Sequence, residues 1–202
     1  MWSSLSEVDE AVRGCTDCSL CGGRTNAVPG DGDPSSEIMF VGEGPGYYED
    51  VQGLPFVGQA GQLLNELLTE IGLKREEVYI TNVVKCRPPK NRDPQPDEIQ
   101  ECSKYLDRQI ELIDPKVIVT LGRYSMDRFF PGQRISRIHG TARRTGGRMV
   151  VPMYHPAAAL HQPSLRRTLS DDFAKIIVAA EATPAEPVPE EPDDPAQQLS
   201  LF

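Results

Sequence analysis

Residues 38–71 read IMFVGEGPGYYEDVQGLPFVGQAGQLLNELLTEI, and they pass through three kinds of pattern in one stretch. Ile38 to Val41 is a short apolar run rich in strand-forming side chains. Residues 42–58 then hold five glycines and two prolines, the composition of a loop. Beyond it Ala60, Leu63, Leu64, Leu67, Leu68 and Ile71 recur at spacings of three and four, which puts one apolar face on a helix that Gly72 stops. Strand, glycine-rich loop and helix in that order are the unit of an α/β fold.

Working outward, the same grammar repeats. Val78 to Val84, Val117 to Leu121 and Met149 to Tyr154 are further apolar runs without strict alternation, as expected for strands covered on both faces. From Asp97 onward Ile99, Cys102, Leu106, Ile110 and Ile113 mark a second helix that ends at Asp114-Pro115. The predicted architecture is a three-layer α/β/α sandwich around a central four-stranded, mostly parallel sheet. In such sheets ligands bind beyond the carboxyl ends of strands. GEGPG after the first run, Asn82 at the end of the second and His155 after the last are therefore expected to converge.

The loop fits neither common phosphate motif. A dinucleotide fingerprint needs G-x-G-x-x-G opening straight into a helix, whereas G-x-G-P-G is followed by twelve residues before the next helical pattern, and no Gly-Lys-Ser/Thr completes a P-loop. The glycines alone are explained by a sharp turn. Phe56, set among Gly and Pro, adds an aromatic face able to stack on a flat ligand.

Composition bounds the rest. From Glu181 the chain reads EATPAEPVPEEPDDPAQQLSLF, with six acids, five prolines and no Lys or Arg, a segment expected to be disordered. The predicted division is a folded body over residues 1–180 and a tail over 181–202. Taking the six tail charges from the net charge of −9 leaves −3 on the body, so any nucleic-acid contact relies on local basic patches. No run of eighteen apolar residues occurs and the first residues lack a basic start with an apolar core, which points to a chain that remains inside the cell. Of the five cysteines, Cys15, Cys18 and Cys21 form C-x2-C-x2-C, and Cys86 and Cys102 lie far downstream. Cys102 shares the apolar face of its helix. An odd count without an export signal favours metal ligation over disulfides, with Cys21 able to compete with Cys18, and the spacing leaves zinc and iron open.

GEGPG with Glu49-Asp50, then GLPFVG, TNVVKCRPP, the cysteines and HPAAAL together resemble the iron–sulfur uracil-DNA glycosylases called family 4, over residues 10–178. The resemblance implies a structural [4Fe-4S] cluster on Cys15, Cys18, Cys86 and Cys102, with Cys21 spare. It implies excision of uracil flipped from DNA, with no lyase step, by a monomer of the cytoplasm and nucleoid. It assigns Phe56 to stack on the base, Asn82 to read its edge and His155 to donate to O2; Gly44, a substrate contact, stands where better-known glycosylases place an aspartate on the sugar side, and Glu43 is the nearest carboxylate for that task. An amide suits the reading task because it both accepts from N3–H and donates to O4. Glu49 and Asp50 are further candidates for handling water. The chain departs from many relatives at Tyr47 and Tyr48, and Tyr47 is read either as a gate against the thymine methyl or as a solvent-facing ring.

Three basic groups are candidates for phosphate: Lys85, Arg87, Lys90 and Arg92; Arg134, Arg137, Arg143, Arg144 and Arg148; and Arg166 with Arg167. Arg87, Lys90 and Arg166 are the expected DNA contacts, and Leu160 the expected wedge into the gap left by the base. The middle group reads equally well as a solvated hairpin. Gln198, Leu199, Leu201 and Phe202 end the tail in QLSLF, which resembles peptides that dock on the sliding clamp. Two rival functions remain at this level, a zinc-stapled nucleic-acid binding module and a nucleotide-dependent enzyme using the glycine-rich loop.

Overall fold

The computed structural model describes residues 2–182. Its sheet has six strands: β1 Asp31–Gly32, β2 Ile38–Gly42, β3 Tyr79–Asn82, β4 Val117–Leu121, β5 Arg143–Thr145 and β6 Arg148–Met153. Their spatial order is β1-β3-β2-β4-β6-β5. The four expected runs are the inner strands and pair in parallel, whereas β1 and β5 are antiparallel edges. The sheet is thus two strands wider than the sequence suggests. Both additions escape periodicity because Asp31–Gly32 is two residues long and Arg143–Thr145 is polar and mostly exposed.

The eight helices among the described residues are α1 Leu5–Gly14, α2 Tyr47–Gln52, α3 Gln59–Glu70, α4 Pro96–Ile113, α5 Arg123–Asp127, α6 Ile135–Ile138, α7 Pro156–His161 and α8 Ser164–Glu181. Helix α2 corrects the loop reading, since it begins directly after Gly46 and stops at Gly53 in the left-handed region, φ 71°. Six residues are too few to show a helical period.

Side-chain alternation along the inner strands divides the core into two layers. Met39, Val41, Ile118 and Val150 face Val8 and Val12 of α1 and Leu106 of α4. Phe40, Ile80, Val119 and Val151 face Leu64 and Leu67 of α3 and Phe173 and Ile176 of α8. Helices on both faces of a mainly parallel sheet make the three-layer α/β/α sandwich. From β2 the chain crosses to β3 on one side and then returns to β4 on the other, so a crevice opens at the carboxyl ends of β2 and β4.

Candidate active site

That crevice is a cleft of ≈ 350 Å³ at the carboxyl ends of the strands. Glu43 and Gly44 reach it from the end of β2, Asn82 from β3 and His155 from β6, and Phe56 closes it from the loop before α3. The five residues assigned to base and sugar by sequence therefore share one cavity.

Asn82 is 2 % exposed, and its Oδ1 has no hydrogen-bond partner among the described residues. A buried acceptor left bare costs about 1–3 kcal/mol, which a ligand donor would recover. Room for the amide depends on Gly42, where a Cβ would lie 2.3 Å from Asn82 Oδ1 and 2.7 Å from the Phe56 ring. Below the amide lies Lys85, which sequence placed in a phosphate patch. It is instead 1 % exposed, and its Nζ donates to Thr81 Oγ1 at 2.6 Å, Asn82 O at 2.8 Å and Gln109 Oε1 at 2.7 Å. Burial lowers its pKa to about 8.

Phe56 has φ 51°, a conformation bulky residues rarely adopt. Two contacts hold it there. Arg75 donates to Phe56 O at 3.1 Å and to Pro55 O at 2.5 Å, and Gly61 lets α3 approach so closely that a Cβ there would meet Phe56 O at 1.8 Å. Sequence reasoning missed Arg75, because an Arg-Glu-Glu turn reads as a solvated surface.

His155 lies beside Phe56, with ring centroids 5.5 Å apart and planes 23° from parallel. A ring sandwiched between them would need about 7 Å, twice the van der Waals contact distance, so an incoming base meets Phe56 with His155 alongside. His155 caps α7, its Nδ1 accepting from Ala157 N–H at 3.1 Å. Burial lowers the imidazole pKa to about 4, against an upward pull from Glu49. The ring is accordingly neutral near pH 7, and with Nδ1 an acceptor the proton resides on Nε2, which can donate.

Glu43 Oε1 accepts from Tyr124 N–H at 3.2 Å, and Gly122, φ 101°, gives it space, since a Cβ there would lie 2.4 Å away. Burial raises the Glu43 pKa, opposed by the Tyr124 and Arg123 amides. Glu49 also lines the cleft, its Oε1 accepting from Val57 N–H at 2.9 Å and Gly58 N–H at 2.8 Å. Asp50 faces away from the cleft. It is buried, with Oδ1 accepting from Thr25 N–H at 2.8 Å, and Asn26 donates to its carbonyl at 2.9 Å, which lashes the cysteine-bearing segment to α2.

Several other expectations are redirected. Tyr47 is 55 % exposed and is not among the residues lining the cleft, the placement expected of a solvent-facing ring. Arg166 pairs with Glu70 at 2.6 Å and Glu66 at 3.3 Å on the surface. Arg92 pairs with buried Glu98 through two bonds of 2.6 and 2.9 Å, and that pairing drops the Glu98 carboxyl to about 2. Arg87 and Lys90 remain near the cleft, Arg87 donating to Asn91 Oδ1 at 2.7 Å and Lys90 exposed. Leu160 is an exposed apolar side chain on α7, five residues after His155. Arg143, Arg144 and Arg148 lie on the β5–β6 hairpin. Gln198, Leu199, Leu201 and Phe202 lie outside the described residues.

All five cysteines line a second recess, between α1 and α4. Arg24 donates to Cys86 Sγ at 3.2 Å and the Lys85 backbone N–H to Cys102 Sγ at 3.3 Å. Donors already aimed at sulfur suit thiolate ligands. Among the described residues no three His, Cys, Asp or Glu side chains converge on the position of a single ion. Cys21 belongs to the recess as much as Cys18 does, so the placement does not set it apart as the spare.

Comparison with known proteins agrees with this geometry. The profile of the uracil DNA glycosylase superfamily matches residues 29–180. The chain is 54 % identical over 183 residues to a type-4 uracil-DNA glycosylase of Sulfurisphaera tokodaii, covering 86 % of this chain and 83 % of that one. It is 49 % identical over 182 residues to a protein of the same description from Archaeoglobus fulgidus, covering 86 % and 92 %. A type-5 uracil-DNA glycosylase of Thermus thermophilus is more distant, 36 % identical over 115 residues and 50 % of this chain. Matched by the superfamily profile from β1 to the end of α8, and by these relatives over most of both lengths, the chain belongs to the type-4 uracil-DNA glycosylases.

Proposed function

We propose that the protein removes uracil from DNA, hydrolysing the N-glycosidic bond to release the free base and leave an abasic site for base excision repair. The observation that carries this reading is the bare, buried Oδ1 of Asn82 facing a cleft walled by Phe56. The uracil leaves the base stack, at a few kcal/mol of unstacking, and lies against Phe56. Its N3–H donates to Asn82 Oδ1 while the Asn82 amide donates to O4. Cytosine presents neither partner in that order, and the mismatch leaves buried polar groups unpaired.

As the bond to the sugar breaks, its electrons move onto the ring and collect at O2. His155 Nε2–H donates there, so a neutral donor stabilises the developing anion without a proton having to be transferred. Glu43, ionised and held by the Tyr124 amide, faces the positive charge growing on the sugar and orients the attacking water. Excluding bulk water from the cleft strengthens both electrostatic contacts.

The recess of thiols is the place for a [4Fe-4S] cluster on Cys15, Cys18, Cys86 and Cys102. Five thiols in one recess, two of them already accepting hydrogen bonds from Arg24 and from the Lys85 backbone, support that reading. Held by these cysteines, the cluster would fasten α1 and the segment after it to α4, as a structural group outside the chemistry. Arg87 and Lys90 bind phosphate beside the cleft and Leu160 enters the gap in the stack. The terminal QLSLF docks the protein on the sliding clamp, which raises its local concentration on replicating DNA.

The deciding experiment incubates the purified protein with a single-stranded oligonucleotide bearing one uracil. Free uracil and an alkali-sensitive abasic site are expected, and neither appears from the cytosine or thymine counterpart. Absence of uracil release from single strands and from U·G and U·A duplexes alike would overturn the reading.

A further inference from the structure

Beside the cleft lies a second hollow of ≈ 430 Å³ that shares Glu49, Ala60 and Asn91 with it. Tyr47 and Tyr48 form one wall and Gln59 and Gln62 contribute to the floor. The two tyrosines are 55 % and 58 % exposed and meet edge to face, with centroids 5.4 Å apart and planes at 79°. The Arg87 guanidinium lies over Tyr47, 5.1 Å from its centroid, and is itself fixed to Asn91. Leaving two large rings in water forgoes the burial that stabilises most aromatics, and neither ring contributes to the two core layers.

We propose that this hollow is a second nucleotide subsite, in which Tyr48 stacks on the unpaired DNA base next to the excised uracil while Tyr47 and Arg87 brace it. The inference rests on the uracil-excision reading, because continuity with the cleft is what places a neighbouring base there. Single-strand binders combine exposed aromatic faces with a cation, an arrangement that tolerates any base because every base has a π face. Arg87 supplies the cation. Gln59, Gln62 and Asn91 place amides beside the apolar Val57 and Ala60, and those amides can donate to and accept from base edges. The one carboxylate shared by both cavities, Glu49, has Oε1 engaged by the Val57 and Gly58 amides.

The test uses the full chain with its cysteine site loaded, single-stranded oligonucleotides carrying one uracil, and versions in which the 5′ or the 3′ neighbour is an abasic analogue. Tyr48→Ala is expected to raise KM on the intact strand about tenfold, the effect of losing one stacked base, with kcat within twofold of the wild type. Tyr48→Phe keeps the wild-type KM, because stacking does not need the hydroxyl. Removing one of the two neighbouring bases raises the wild-type KM by the same factor and leaves that of Tyr48→Ala unchanged. An unchanged KM in Tyr48→Ala, or losses that multiply when variant and abasic neighbour are combined, would overturn the subsite while wild-type uracil release still upheld the enzyme. A wild type inactive on every uracil substrate would sink the enzyme reading instead. Should Tyr47 and Tyr48 dock a protein, both substitutions would be silent in this assay.

Discussion

The Lys85 ammonium donates to the carbonyl of Asn82 at 2.8 Å, so the buried amide of the cleft is anchored from below by a fully buried cation. The same lysine belongs to the sequence Lys85-Cys86, and its backbone N–H reaches Cys102 Sγ at 3.3 Å. One residue thus links the thiol recess, through its backbone, to the amide of the cleft, through its side chain. Lys85→Met removes the donor from three acceptors at once, and unsatisfied buried groups cost about 1–3 kcal/mol each. The expected result is a clearly lower Tm together with a raised KM for uracil DNA, whereas Lys85→Arg, too large for the buried space, recovers neither. Thermal unfolding and steady-state kinetics on the same preparations read both.

Asn82→Ala deletes both hydrogen bonds to the base edge and relieves an unpartnered acceptor. A fall of about 10⁴ in kcat/KM is expected, since a site built to pair polar groups loses about that much when the pairing is missing. Stability is expected to hold or rise, because the bare Oδ1 is removed. A large loss of Tm with modest loss of rate would contradict the assignment.

Glu43 must be ionised to face a cationic sugar, and burial raises its pKa. The acid limb of the kcat/KM profile is therefore expected above the ordinary carboxylate range. Glu43→Gln should lower the rate by at least about 10²-fold and flatten that limb. A limb unmoved in the variant would point to another carboxylate.

His155 sets a pH dependence of stability with a definite sign. Its folded pKa, about 4, lies below the ordinary 6.5. Above 6.5 both states are neutral and the stability is fully present. As pH falls from 6.5 to 4 the unfolded chain takes up a proton that the folded chain refuses, and stability declines by at most about 3 kcal/mol. Urea unfolding of the wild type and His155→Gln between pH 4 and 7 should give a difference that shrinks as the pH is lowered.

Replacement of Cys15, Cys18, Cys86 or Cys102 by Ala should abolish the visible absorbance and bound iron of the purified protein and lower its Tm. Cys21→Ala should keep all three. Since all five thiols share the recess, loss of iron in Cys21→Ala with retention in Cys18→Ala would exchange the two.

Much of this molecule is written in its patterns. The four inner strands and helices α3 and α4 follow apolar periods long enough to be seen, and burial on both faces makes them so. The edge strands and α2 do not, since they are short and held by pairing or by a terminal glycine. At the site, the convergence of Glu43, Gly44, Phe56, Asn82 and His155 on one cleft was legible, because the ends of parallel strands bring such residues together. What supports them was not. Lys85, Arg92 and Arg166 look like surface cations, and only packing shows that each faces acceptors or carboxylates of its own protein. Arg75, fastening two carbonyls of the loop, has no pattern at all. Charge in a sequence carries no sign of where it is spent.

Phe56 keeps its left-handed backbone through Arg75 and Gly61, neither of which touches the cleft. The wall is shaped in advance by groups that a departing product leaves undisturbed. A ligand therefore meets a surface already assembled, and no ordering of that wall is subtracted from its affinity.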